Sequence, residues 1–457
     1  MPSFLSHPSP NPDLWPSSAA APRRCVRPKT FRRRALLLGW ALVLLTSRAQ
    51  ADDVPLARST PPAPPSSLSL SLPDALDRAE RESALVRRAV REREEIAARE
   101  VGAGILLPTN PLLGVAAGVR RDPSYDPTRG PTFALRAEQM IEVAGQRGAR
   151  LEVVRQAVRA ARLREDVART EIRARVRTAY LGALVADELV AVARRRAELA
   201  DKLVTAADTR AGAGAASDVE RALARLERGR AVRAVLEAEL GASAARGALK
   251  TALGLGATRE LVLTTSLVPP APHTLDVAEL LRRAHERRRE LAALEGSRQE
   301  LDAELARLSR EAIPSPTLSL DVGRDLPGQG FITAGLAVPL PLFRRYQGEK
   351  ALVRAAQSTL DDERLLLSRQ IDAEVAVAVR TLEARQAELS LLEREVLPSA
   401  DSSESLVTEG WRAGKFDLFR VIQVAREAGE VRTARLEALG ALWEASVALD
   451  RAVGGLQ

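Results

Sequence analysis

Two stretches of this 457-residue chain change their hydrophobic period in the same way. In the first, Leu113, Val115, Ala117 and Val119 alternate with Gly114, Ala116, Gly118 and Arg120, the two-residue period of a strand. Phe133, Leu135, Ala137, Ile141 and Val143 then alternate with Thr132, Ala134, Arg136, Glu138 and Glu142, with Gln139 as the exception. In the second stretch Leu318, Leu320 and Val322 alternate with Thr317, Ser319, Asp321 and Gly323, and Ile332, Ala334, Leu336 and Val338 with Phe331, Thr333, Gly335 and Ala337. The pattern predicts four amphipathic strands, at about 111–121, 131–143, 316–324 and 330–340, paired through the turns RDPSYDPTRG and RDLPGQG. Strands of roughly ten residues cross a bilayer when tilted. Leu113, Val115, Val119, Leu135, Leu318, Leu320, Val322, Ile332 and Leu336 are therefore candidate lipid-facing positions. Tyr125, Phe133, Phe331, Phe343 and Tyr346 lie at or near strand ends, as an interfacial belt requires. Alternation alone also fits a water-soluble pair of hairpins packed on helices.

The rest of the chain is helical in period. A charged helix from Pro73 to about Val101 ends at Pro108 and Pro111, and its counterpart from Leu275 to about Ala312 ends at Pro314 and Pro316. Each strand pair is followed by a long run, Gln146 to Arg210 and Gly348 to Glu409, that reaches roughly 90 Å at the rise of an α-helix. A rod of that length packs along other helices. In the second run Ile371, Ala378 and Leu392 share one heptad row and Val375, Leu382, Leu389 and Val396 another, with Arg385 breaking the first and Pro398 marking a kink or junction.

Both rods end on the same words. Arg210-Ala211-Gly212 and Arg412-Ala413-Gly414 stop a helix at glycine, and Ser217 or Asp218 in one case and Asp417 in the other can cap a return helix, Ala216 to about Leu253 and Asp417 to about Val453. Arg-Ala-Gly thus marks the tip of a long antiparallel pair, written twice in a duplicated chain. The expected organisation is a signal peptide at 1–51, a Pro-rich leader at 52–72, a first repeat at 73–256, a linker at 257–274 and a second repeat at 275–457.

Arg32, Arg33 and Arg34, the apolar run Ala35 to Leu45 and Ala49-Gln50-Ala51 carry the export signal, by the general secretory route or, given the paired arginines, the twin-arginine route; a retained anchor is the alternative. Removing its eight Lys/Arg and one acid from the 68 and 60 of the whole chain leaves 60 bases against 59 acids. The basic excess thus belongs to the export signal, and nucleic acid is not an expected partner. Cys25, the one cysteine, leaves with the same segment, and with it any disulfide or thiolate site.

Four strands cannot close a barrel, and open edges are not tolerated in lipid, so several copies must each donate four strands if these strands span a membrane. The segments RAGAGAASDVERA and WRAGKFDLFRVIQVA at the tips, EQMIEVAGQRGAR and GLAVPLPLFRRYQGE at the strand-to-helix junctions, and VLPSADSS before the second tip carry a resemblance to the TolC-like outer membrane efflux proteins, the outer membrane factors, over about Leu68 to Gly455. The resemblance implies a mainly α fold with a transmembrane β-barrel portion. It also implies a homotrimer with a twelve-stranded barrel and a helical tunnel crossing the periplasm, its tips docked on a periplasmic membrane-fusion adaptor and an inner membrane pump. Val338 to Phe343 and Glu142 to Arg147 look closest to the branch serving cation and heavy-metal efflux. Many relatives carry a lipid-bearing cysteine at the mature N-terminus; here anchoring would fall to the barrel and outer membrane lipid. By the same resemblance Arg210, Gly212, Gly214, Ser217 and Asp218, with Arg412, Gly414, Phe416 and Leu418, hold the tunnel mouth or meet the adaptor, unless the glycines and caps only make the turns. Phe416 and Leu418 are the stronger contact candidates, as exposed apolar groups at a rod tip.

No catalytic arrangement emerges, and neither cofactor nor metal is expected. His273 and His285 stand alone, Glu279, Glu286 and Glu290 read as a solvated helix face, and Gly254-Leu255-Gly256 lacks the lysine of a phosphate loop. A duct for secreted proteins or drugs would use the same architecture. A periplasmic coiled-coil scaffold is the rival without a channel, and the four duplicated strands argue against it.

Overall fold

The computed structural model describes residues 68–120, 130–214, 217–256, 258–271, 276–326 and 329–455. The expected signal segment, Tyr125 and His273 lie outside them. One series of elements occurs twice. The first is β1 (Leu68–Leu70), α1 (Leu72–Glu82), α2 (Ala84–Ala103), β2 (Leu112–Arg120), β3 (Gly130–Met140), α3 (Gln146–Gly212) and α4 (Asp218–Ala252). The second is β4 (Leu261–Leu263), α5 (Val277–Arg287), α6 (Arg289–Glu311), β5 (Thr317–Leu326), β6 (Gln329–Ala337), α7 (Gln347–Leu391), α8 (Leu397–Arg412) and α9 (Leu418–Ala452).

The expected charged helix at the head of each half is two helices with a one-residue break. At the first break Ser83 closes α1, donating its N–H to the Ala79 carbonyl, and opens α2, accepting from the Leu85 N–H through its hydroxyl. At the equivalent break Arg288 is extended and buried, its guanidinium bonded to Glu374 (2.8 Å) and to the Ala452 carbonyl (3.4 Å) at the end of α9. Serine and arginine are both acceptable inside a helix, so periodicity carries no sign of either break.

The expected leader and linker also gain structure. Leu68–Leu70 pairs in parallel with Leu261–Leu263, and the buried Tyr180 of α3 donates its hydroxyl to the Leu70 carbonyl at 2.8 Å. Leu70, Leu249, Leu253 and Leu261 pack with Tyr180 in one core, so the small sheet ties the first described residues to the end of α4.

At 67 residues α3 is about 100 Å long by the rise of an α-helix. It packs against α2, α4, α6 and α9, and α9 in turn against α7 and α8. The helical layer therefore runs α4, α3, α9, then α7 and α8. Ile371, Val375, Ala378, Leu382 and Leu389 of the predicted seam are buried, facing Ala438, Leu439, Leu442 and Ala445 of α9. Between α7 and α8 a π-helical turn, Leu392–Val396, ends two residues before Pro398, and the Leu397 N–H reaches back five residues to the Leu392 carbonyl. Pro398 has no N–H for the Arg394 carbonyl and its ring would crowd that group; the wider turn relieves the clash.

β2, β3, β5 and β6 form one antiparallel sheet in that order. Leu135 faces Val115 on one side and Val322 on the other, so the two hairpins are continuous through the β3–β5 pair. β3 stops at Met140, and β6 stops at Ala337, opposite the first residue of β5, with Pro339 and Pro341 beyond.

Candidate functional site

Register decides which side chains share a face of this sheet. Leu113, Val115, Val119, Leu135, Leu318, Leu320, Val322, Ile332 and Leu336 all fall on one face, through the pairs Val115↔Leu135, Leu135↔Val322, Val322↔Ile332 and Leu318↔Leu336. All nine are exposed, a contiguous apolar surface on a sheet that packs on no helix with that side among the described residues. The opposite face carries Gly114, Thr132, Arg136, Glu138, Ser319, Asp321 and Thr333. Arg136 spans it, its Nε 2.5 Å from Asp321 Oδ1 and its Nη1 3.5 Å from Glu138 Oε1. No helix among the described residues is long and apolar enough to cross a membrane.

At the far end of the rods, the tips depart from the reading of their repeated words. α3 continues through Gly212, and the left-handed residue is Gly214 (φ 70), not Gly212. In the second tip it is Gly414 (φ 76), as expected, with the Lys415 N–H returned to the Gly410 carbonyl at 2.7 Å. The turns therefore align as Ala213-Gly214 with Ala413-Gly414, two residues out of step with the Arg-Ala-Gly words. Ser217 caps α4 in a reciprocal box with Glu220, Asp218 pairs with Arg221, and Asp417 caps α9 by accepting from the Arg420 N–H at 2.9 Å.

Leu418 is the main correction among the tip residues. It is 1% exposed, packed with Leu203, Ala207, Ala224, Trp411, Val421 and Ile422 in a core shared by both hairpins. Leu418, Val421 and Ile422 are the i, i+3, i+4 stripe of α9, a period visible in the sequence once the helix start is placed at Asp417. Phe419 falls outside that stripe and is 57% exposed; sequence reasoning passed over it, as it did Val219 on the other tip. Phe416 is part-exposed, its ring laid on Gly410 and 5.7 Å from the Arg420 guanidinium. Arg210 stacks on Trp411, while Gly212, Gly214, Ser217, Asp218, Arg412 and Gly414 stand in the open.

Above the tips Glu227 of α4 is buried between Arg196 of α3 (2.8 Å) and Arg426 of α9 (2.9 Å). Burial opposes its charge, but the hydrogen bonds from the two guanidinium groups outweigh that and hold the carboxyl below its ordinary value. Elsewhere His285 meets Asp372 (2.7 Å), Glu279 and Glu286 are spent on Arg282, and no acid, histidine and cysteine group suited to a metal gathers among the described residues.

Comparison with known proteins matches this architecture. The model of the family described as outer membrane efflux protein matches residues 108–255. The cobalt-zinc-cadmium resistance protein CzcC of Cupriavidus metallidurans is 31% identical over 322 residues, 69% of this chain and 75% of that protein. Among solved structures, the outer membrane protein VceC of Vibrio cholerae aligns over 84% of this chain and 96% of its own at 18% identity, with a TM-score of 0.64. A structure of CusC aligns over 84% and 92% at 16% identity, with a TM-score of 0.66. The chain belongs to the outer membrane efflux protein family and is a component of an outer membrane efflux channel, with its helical part in the periplasm.

Proposed function

We propose that the chain is the outer membrane duct of a tripartite efflux system, a passive conduit whose cargo is heavy-metal cations. The observation that carries this is the sheet: nine exposed apolar residues on one face, a polar face opposite, and two edges, β2 and β6, paired with no strand among the described residues. In lipid each open edge would leave a row of backbone groups without partners, so the sheet must close on other copies of itself. Members of this family act as trimers with adaptor and pump partners; three copies here give a twelve-stranded barrel. Arg136, Asp321 and Thr333 then line its water-filled bore, and the apolar face meets outer membrane lipid. The tips, with Phe416 and Phe419 uncovered, meet the adaptor. Metal cargo is supported by the likeness to a cobalt-zinc-cadmium resistance protein. A wide aqueous duct needs no metal ligands, since selection and energy enter at the pump.

The test is planar-bilayer conductance of the detergent-extracted protein, with the oligomer mass measured on the same sample. Discrete channels from a trimer are expected. A monomer without conductance overturns the duct. Loss of cobalt, zinc or cadmium tolerance on deletion is expected for the cargo, and loss of tolerance to drugs alone would overturn that part.

A further inference from the structure

The two strand-to-rod junctions are copies of one another. Gly145 and Tyr346 both take left-handed backbone (φ 76 and 58), and Gln146 and Gln347 follow. Each glutamine accepts, through Oε1, the N–H two residues back, from Ala144 (2.8 Å) and Arg345 (2.7 Å). Counting back from this anchor, Leu336 corresponds to Leu135 and Leu340 to Gln139. In the hairpins Leu135 faces Val115 and Leu336 faces Leu318, so Val115 corresponds to Leu318.

The surroundings of the two junctions differ. Beyond β3 the Ile141 N–H donates to the Pro316 carbonyl (2.9 Å), and Gln146, 2% exposed, donates to the Ile313 carbonyl (3.3 Å). Beyond β6 no further strand follows among the described residues. Gln347 is exposed and turns back on the Phe343 carbonyl (2.7 Å), and the Leu342 N–H closes a local bond to Leu340. Val338, Leu340, Leu342 and Phe343 are all exposed, the last at 88%.

The Ile141–Pro316 bond also fixes where each backbone group points, because alternate residues of a strand direct N–H and C=O to opposite sides. Odd-numbered residues of β3 face β5. Carried across the sheet by its register, this leaves the odd residues of β2, from Leu113 to Val119, and the even residues of β6, from Ile332 to Leu336, to form the two outer edges. The even series continues through Val338, Leu340 and Leu342. Pro339 and Pro341 occupy the odd positions, which point away from that edge and past the start of β5, where a missing N–H breaks no ladder.

Resting on the channel reading, we propose that Val338–Leu342 extends β6 against β2 of a second copy, in the register that the repeat dictates. Gln139 faces Leu318 within the chain, so Leu340 faces Val115 of the partner subunit, with Leu336 opposite the partner's Val119 and Leu342 opposite the partner's Leu113. Every such pair lies on the apolar face. A slip by one residue would set Leu340 against the polar face, which leaves slips by two as the competing registers.

The test is disulfide trapping in the full chain with Cys25→Ser. Leu340→Cys is combined with Val115→Cys, and Leu336→Cys with Val119→Cys as an independent pair of the same register. Leu340→Cys with Leu113→Cys or with Ala117→Cys supplies the slips by two. Opposed residues of a hydrogen-bonded antiparallel pair have Cα atoms about 5.5 Å apart, within disulfide range, and diagonal neighbours do not. Outer membrane fractions are oxidised with copper phenanthroline in air and run on denaturing gels. Reductant-sensitive dimers and trimers are expected from both register pairs, and monomer from both shifted pairs. Trapping by a shifted pair instead, or by neither register pair in a protein whose native mass is still a trimer, overturns the register and leaves the channel standing. A monomeric native mass for the Cys25→Ser chain overturns the channel and the register together.

Discussion

The guanidinium of Arg210, at the end of α3, lies 5.5 Å from the ring centroid of Trp411, at the end of α8, so the tip of one hairpin is clasped to the tip of the other. Trp411 is buried and Arg210 half-buried. Replacing Arg210 with Ala removes a cation–π contact at a partly wet site, expected to cost about 0.5–1 kcal/mol. Trp411→Ala empties part of the shared core and is expected to cost about 3–5 kcal/mol. Hydrogen exchange of the amides around Leu203 to Ala207 and Val421 to Ile422 reads both: a severalfold acceleration for the first variant, and loss of protection for the second. Equal effects would mean that the cation contact, not the ring's packing in the core, holds the tips.

Leu418 and Phe419 are neighbours with opposite duties. Leu418→Asp puts a charge without a partner into the tip core and is expected to cost about 3–5 kcal/mol there, opening both tips to protease. Phe419→Asp leaves the fold and the oligomer intact and is expected to weaken adaptor docking. Cellular efflux with normal outer membrane levels is the readout. Full efflux by Phe419→Asp, and by Phe416→Asp beside it, would place the docking contact elsewhere on the rods.

The sheet was legible from sequence because a two-residue period is local, and each predicted apolar position needed only its own strand to be assigned a face. Which strands adjoin was not legible. The β3–β5 pair joins residues nearly two hundred positions apart, as in Leu135 with Val322, and no local pattern reports it. The same limit hid the parallel pair of Leu68–Leu70 and Leu261–Leu263, three-residue strands too short to show a period. At the tips the repeated Arg-Ala-Gly drew attention to the right turns. Its first copy misplaced the left-handed residue, because Arg-Ala-Gly-Ala-Gly offers two glycines and only the hydrogen bonds ending α3 choose between them. Leu418 was misassigned for a different reason: a turn of exposed residues ends abruptly at Asp417, and burial resumes one residue later.

Glu227 predicts a pH dependence. Its carboxyl is held below the ordinary value in the folded chain, so its stabilisation of the α3, α4 and α9 junction is present at neutral pH. That stabilisation is lost as pH falls from the unfolded carboxylate range, about 4.3, through the lower folded value. Glu227→Gln is expected to weaken the junction by about 3 kcal/mol, since Arg196 and Arg426 keep only a neutral acceptor. It is also expected to remove the acid-dependent loss below that range. Thermal unfolding of the detergent-solubilised protein, followed from pH 7 down through and below that carboxylate range, checks both parts. An unchanged acid sensitivity in the variant would assign it to other carboxylates.

Leu336 and Thr333 stand three residues apart on β6 and on opposite faces, so one substitution made at each separates lipid from water. Leu336→Arg places a cation on the apolar face and is expected to cost about 2–4 kcal/mol if that point lies near the bilayer midplane. The expected readout is a loss of oligomer from the outer membrane fraction. Thr333→Arg places the same cation directly across the strand pair from Asp321, where water and an acid both receive it. Assembly should be nearly unchanged, within about 1 kcal/mol on the scale of an exposed ion pair. Channels of the Thr333→Arg protein should pass cations less readily, because the added charge sits in the bore. If Thr333→Arg blocks assembly while Leu336→Arg is tolerated, the two faces are reversed and the polar side is not the one that holds water.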